Sequence, residues 1–190
     1  MSEAELVKRL KHGDREAFNV LVKEYEGKII NIAYGMLSDK EEALDASQEV
    51  FIRIYKSIDS FKGNSSLSTW IYTIAVNICR DCLRKRQRSA RTVSIDTSLN
   101  EDMEVMEIAD TSLTPEQKIE QTERQKLVRQ AIDELSEEYK TVITLCDIEG
   151  MAYDKIAEIL KCPTGTVKSR LNRARAALRN KISEKRELFF

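Results

Sequence analysis

Glycine and proline are scarce, at 6 and 2 of 190 residues. With few breakers, and with Ala, Leu, Glu, Lys, Arg and Ile dominant, the chain favours helix over sheet, and the expected class is all-α. Histidine occurs once, as His12, and no spaced carboxylates, metal-ligand set or Walker-type phosphate loop accompanies it. That argues against an enzyme, so no catalytic residue, cofactor or metal ligand is assigned. No apolar run approaches the roughly 18 residues that span a bilayer. The chain starts Met1-Ser2-Glu3-Ala4-Glu5 without a basic-then-apolar leader, and a cytoplasmic location is expected. Among four cysteines, Cys79 and Cys82 form a CxxC, but inside a helical pattern with no second pair and no nearby histidine. Metal sites need three or four convergent ligands, so both read as packing residues.

Net charge is also nearly absent, at −1, but the total hides its distribution. Arg80, Arg84, Lys85, Arg86, Arg88 and Arg91 crowd the end of the first half, and Lys168, Arg170, Arg173, Arg175, Arg179 and Lys181 crowd a segment near the C-terminus. Between them Asp96, Glu101, Asp102, Glu104, Glu107 and Asp110 are acidic. Nucleic acid responds to a clustered basic face, not to the sum.

Apolar residues recur at helical spacing in the first half: Phe18, Leu21, Val22 and Tyr25, then Ile29, Ile32, Ala33 and Met36. Ser38-Asp39 before Glu41 and Glu42 marks a helix start, and Ala43, Ser47, Val50, Phe51 and Ile54 form the next buried stripe, with Asp45, Gln48, Glu49 and Arg53 on the other face. Ser60 to Ser66 breaks the pattern. From Leu67 a long helix turns Ile71, Ile74, Ala75, Ile78 and Cys82 inward. Periodicity fades between about Thr92 and Leu113, as in a flexible, solvated linker. Thr114-Pro115 then begins a second helical unit, with Leu135, Tyr139, Val142, Ile143 and Cys146 on one face. The expected division is two small helical domains, 1–91 and 114–190, joined by the acidic linker 92–113.

The sharpest local signal runs from Gly150 to Arg175. A short helix with Ile156, Ala157 and Leu160, a turn at Lys161-Cys162-Pro163 and a second helix give helix-turn-helix spacing. In the second helix Val167, Leu171, Ala174 and Leu178 face the core, leaving Lys168, Ser169, Asn172, Arg173 and Arg175 outward. Such a helix enters the major groove with its N-terminal half, making Lys168, Ser169, Asn172 and Arg173 the base-edge candidates. Arg170, Arg175 and Arg179 suit phosphates, and Thr164 with Gly165 puts free N–H groups at the helix start near one.

Pro163-Thr164-Gly165-Thr166-Val167-Lys168-Ser169-Arg170-Leu171-Asn172-Arg173-Ala174-Arg175 resembles the region 4 signature of extracytoplasmic-function sigma factors of the sigma-70 family. The first half is similar to region 2 of the same family, through Gly13 to Phe18, the D-x-x-Q-E-x-F segment Asp45 to Phe51, and the run from Phe61-Lys62-Gly63 through Ser68 to Asn77.

The resemblance implies a promoter-specificity subunit, with RNA polymerase performing the chemistry. Asp45, Gln48, Glu49 and Phe51 would dock on the β′ clamp helices of core RNA polymerase, whose β subunit is also a partner. Lys62, Asn64, Ser65, Ser66 and Asn77 would capture and read an unstacked base of the −10 element, since small polar groups can hydrogen-bond a base edge. Arg80, Arg84 and Lys85 would attract the displaced strand, and Trp70 is read as a structural anchor. Thr164, Lys168, Ser169, Arg170, Asn172, Arg173 and Arg175 would read the −35 element, and the Asn172 amide suits adenine. The linker's acidity is consistent with mimicry of nucleic acid in a basic channel. The resemblance also implies promoter DNA and an anti-sigma factor as partners. A membrane-bound anti-sigma factor would hold the chain at the inner membrane face until a stress signal. A stand-alone helix-turn-helix regulator is the rival reading. It would account for the C-terminal half alone.

Overall fold

The computed structural model describes residues 2–92 and 115–189, with side chains described for 2–89 and 124–185. Among these residues there are eight α-helices and no strand: α1 (Glu3–Lys11), α2 (Arg15–Leu37), α3 (Lys40–Ser57), α4 (Leu67–Thr92), α5 (Pro115–Asp133), α6 (Glu137–Ile143), α7 (Tyr153–Leu160) and α8 (Thr164–Phe189). The all-α expectation agrees with this. The segment expected as a linker, 92–113, lies outside the described residues except for Thr92, which ends α4, and so does the proposed cap Thr114.

Local chemistry sets the helix ends. The Asp39 carboxylate accepts the Glu42 N–H at 2.8 Å, so the start of α3 follows from a cap visible in the sequence. Asp14 caps α2 by accepting from Glu16 and Ala17, and the Arg9 guanidinium, 2.7 Å away, holds its carboxyl below the ordinary carboxylate range. The sequence reading did not place α1, which buries Leu6 and Leu10 and packs Val7 partly against the same core. Its groups fasten the loop between α3 and α4 at both ends: Lys11 Nζ donates to the Phe61 carbonyl at 2.7 Å, and Glu3 accepts the Leu67 N–H at 3.0 Å.

Helices α2, α3 and α4 bury the periodic residues of the first half, among them Leu21, Ile29, Ile32, Met36, Val50, Ile54 and Ile71. Each such side chain contributes about 1.5–3 kcal/mol on burial. Cys79 lies in this core, and burial pushes its thiol up to about 12. The Trp70 ring packs against Phe61, centroids 5.3 Å apart, where α4 meets the loop.

The two halves do not stand apart. Leu145, Ile156, Ala157, Ile159 and Val167 join the apolar cluster of α2 to α4, while Ile132, Leu135, Val142, Ile143, Leu171 and Ala174 form a second cluster within the C-terminal half. α6 continues into one wider π-type turn, Thr144–Ile148, which turns Thr144 and Leu145 inward against the first half. Gly35 sits in α2 directly opposite Thr144, where a Cβ would lie 2.7 Å from the Thr144 hydroxyl oxygen. Polar contacts complete the seam. The Arg129 guanidinium lies 3.6 Å over the Tyr34 ring and donates to the Tyr34 carbonyl, Ser38 donates to Asp133, Thr69 donates to Glu158 at 3.2 Å, and Lys155 donates to Ser68 at 2.9 Å. Among the described residues no helix is long and apolar enough to cross a membrane.

Candidate nucleic-acid interface

In the C-terminal half, α7, the left-handed Lys161 (φ 51°) and α8 make a helix-turn-helix. Lys161 ends α7, its N–H bonding back to Glu158, and the Thr166 N–H then donates to the Pro163 carbonyl at 2.8 Å as α8 begins. Val167, Leu171 and Ala174 are buried, and Leu178 is half-buried beside them. Because a helix repeats every 3.6 residues, that anchoring turns Lys168, Ser169, Asn172 and Arg173 to solvent on one face.

The remaining −35 candidates are already engaged within the chain. Arg170 is half-buried and reaches Glu138 of α6 at 3.3 Å. Arg175 meets Asp147 through Nε at 3.1 Å, which raises the guanidinium above its ordinary value. The Thr164 hydroxyl donates to Asp154 of α7 at 3.0 Å, tying the first helix of the motif to the start of the second.

In the first half, Lys62, Asn64 and Ser66 are exposed in the loop before α4, and Ser65 is half-buried. The Ser66 hydroxyl caps α4 by accepting the Thr69 N–H at 3.2 Å, and it also contacts the Ser68 and Thr69 hydroxyls at 3.0 and 2.9 Å. Asn77, Arg84 and Lys85 are exposed along α4, with Arg84 3.6 Å from Asp81. Arg80 is half-buried and turns into the seam, where its Nε forms an ion pair with Glu137 at 3.1 Å without an aligned hydrogen bond.

On α3, Asp45, Gln48 and Glu49 are exposed and Phe51 is half-buried, with Glu49 3.3 Å from Arg53. Beside them lies an apolar stripe that the reading of the acidic face passed over: Leu44, Ile52 and Tyr55, the last 59% exposed with its ring edge-on to Phe18 at 5.5 Å. Their spacing of eight and three residues keeps them on one helical side, and this signal was available in the sequence.

Two packed helical units, the second presenting a helix-turn-helix with an outward basic face, define a DNA-binding protein. Comparison with known families makes this specific. Sigma-70 region 2 matches residues 21–89 and Sigma-70, region 4 matches residues 125–178. The ECF RNA polymerase sigma-E factor of Haemophilus influenzae is 40% identical over 186 residues, covering 96% of both chains. The RNA polymerase sigma-H factor of Pseudomonas aeruginosa is 38% identical, covering 93% of this chain and 91% of its own. Among solved structures, CnrH in complex with the cytosolic domain of CnrY matches the fold with a TM-score of 0.69 at 20% identity, covering 96% of this chain and 97% of that one. The sigma factor RpoE of Bartonella quintana, in complex with the anti-sigma factor NepR, matches with a TM-score of 0.65 at 25% identity, covering 87% and 96%. The chain belongs to the extracytoplasmic-function sigma factors of the sigma-70 family. It is an alternative sigma factor, a transcription initiation factor and not an enzyme.

Proposed function

We propose that residues 1–91 dock on core RNA polymerase and open the −10 element, that residues 114–190 grip the −35 element, and that residues 92–113 connect the two through the enzyme. The observation that carries this reading is α8, whose buried Val167, Leu171 and Ala174 hold Lys168, Ser169, Asn172 and Arg173 outward on the second helix of a helix-turn-helix. Asp45, Gln48 and Glu49, with the apolar stripe of Leu44, Ile52 and Tyr55, supply the polymerase-docking face. Charged groups there set register while the apolar groups contribute burial. Lys62, Asn64, Ser65, Ser66 and Asn77 read the opened −10 strand. The chain acts in the cytoplasm. Bartonella quintana RpoE forms a complex with an anti-sigma factor; in this chain such a partner covers the polymerase-binding faces and, where membrane-bound, holds it at the inner membrane.

The test is run-off transcription with purified core polymerase on a library of randomised promoters, with the wild-type chain and with Asn172→Ala. Start sites that need both components are expected, and Asn172→Ala should relax preference at one −35 position by about 1–3 kcal/mol while leaving the −10 sequence unchanged. An unaltered −35 preference would remove Asn172, and the groove placement of α8 with it, from this account.

A further inference from the structure

Three arginines assigned to promoter contact are each held by a carboxylate of this same chain: Arg80 by Glu137, Arg170 by Glu138 and Arg175 by Asp147. Glu137 and Glu138 are adjacent in the first turn of α6 and diverge, one reaching across the seam to α4 and the other to the recognition helix α8. One short helix therefore occupies guanidinium groups in both proposed DNA-binding sites. The pairing is selective. Lys168, Ser169, Asn172 and Arg173, the base-edge candidates, remain exposed, and the groups taken up are those suited to phosphates.

A carboxylate and a phosphate oxygen offer an arginine the same forked acceptor geometry. A guanidinium already paired must exchange one anion for another when DNA arrives, so it releases less bound counter-ion than an unpaired one. We infer that Glu137, Glu138 and Asp147 act as internal stand-ins for DNA phosphates, so that Arg80, Arg170 and Arg175 must each give up a carboxylate before they can hold nucleic acid. The pairs differ in what releases them: separating the halves breaks the Arg80–Glu137 pair, whereas the pairs of Arg170 and Arg175 lie within the C-terminal half and yield to duplex phosphates. This inference rests on the proposed function and on the promoter contacts that the family resemblance implies for Arg80, Arg170 and Arg175.

The experiment uses the full-length chain without polymerase and labelled mixed-sequence oligonucleotides, single-stranded and duplex, titrated from 0.05 to 0.5 M salt. Glu137→Gln should steepen the dependence of log K on log salt for the single strand by about 0.7. Glu138→Gln should steepen it for the duplex by about 0.9, one phosphate contact in each case. For the single strand that is roughly a fivefold gain in affinity at 0.1 M salt relative to 1 M. Glu26→Gln removes the same charge from an exposed position on α2 and should leave both slopes unchanged. Equal effects from all three variants, or none, would overturn the inference. The site assignment has its own readout, because Arg80→Gln and Arg170→Gln should weaken promoter complexes formed with core polymerase. Weakened complexes with unchanged slopes in the glutamate variants would refute the masking alone. Unaffected complexes would refute the arginines as DNA contacts, and the masking with them.

Discussion

Replacing Gly35 by Ala should separate the stability of the first half from the grip between the halves. Gly35 is buried in the interior of α2, and in an isolated helix the added methyl would be favourable by up to about 1 kcal/mol. Within the closed chain the methyl would overlap Thr144, at 2.7 Å from its hydroxyl oxygen. Thr144 has no exposed surface into which to move, and its branched side chain is stiff about χ1. Overpacking of this kind costs about 1–3 kcal/mol, and the penalty falls on the seam because it exists only where the two halves meet. The separation of the halves should therefore become about five- to 150-fold more favourable.

Hydrogen exchange on the full chain measures this directly. Amides of α6 and α7 should exchange faster by that factor through opening, while those at the α2–α3 contact should be unchanged or slower. Removing the obstacle in the double variant Gly35→Ala, Thr144→Ala should restore most of the protection, which a nonspecific loss of stability would not do. Unchanged exchange in α6 and α7, together with a higher melting temperature, would refute the claim that glycine is required here for the halves to approach.

Two further outcomes follow from packing and charge. Leu171→Ala empties a fully buried position between α6 and α8 and should cost about 2–5 kcal/mol, read as a lower urea midpoint with duplex binding lost in proportion to unfolding. Glu134 accepts from Lys181 and also pairs with Lys185, at 2.9 and 2.6 Å, and these hydrogen bonds lower its carboxyl to about 2. A depressed carboxyl stabilises above the ordinary carboxylate range and loses that contribution as pH falls through about 2. The difference in urea midpoint between wild type and Glu134→Gln should therefore be full at neutral pH, shrink towards pH 2, and shrink with salt because the group is exposed.

What could be read from the sequence was whatever repeats or caps. The stripes of α2, α3 and α4, the Asp39 cap and the helix-turn-helix each announce themselves by spacing, and Val167, Leu171 and Ala174 are buried as that spacing requires. Helix α1 escaped notice because Leu6, Val7 and Leu10 span little more than one turn and the pattern is not repeated, although Glu3 and Lys11 fix the loop that presents Asn64 and Ser66. The seam was illegible for a different reason. A glycine facing a threonine, and an arginine laid on a tyrosine ring from 95 residues away, are pairwise fits with no periodic signature. Arg80 illustrates the consequence. Its type and position grouped it with Arg84 and Lys85 as a basic residue of α4, and only the packing of the second half shows that it pairs with Glu137.

The seam also sets a geometric condition on promoter binding. A closed chain of this length has a radius of gyration of about 16 Å, hence an extent of some 40–45 Å. Elements centred about 25 base pairs apart lie roughly 85 Å apart along B-form DNA, at about 3.4 Å per pair. With the −10 and −35 roles proposed for the two halves, the closed arrangement would engage one element or the other but would not reach both. Residues 93–114, drawn out fully, reach at most about 80 Å, enough to let the halves part towards that separation. The contacts that must yield are of two kinds: part-exposed ion pairs worth about 0–1 kcal/mol each, and the burial of Leu145, Ile156, Ala157, Ile159 and Val167 against α2 to α4, at about 1.5–3 kcal/mol for each large aliphatic side chain, which is the larger cost of opening. A partner that binds the α3 face and supplies basic groups for the released acids would shift the balance by its differential affinity for the open form, and by no more than that.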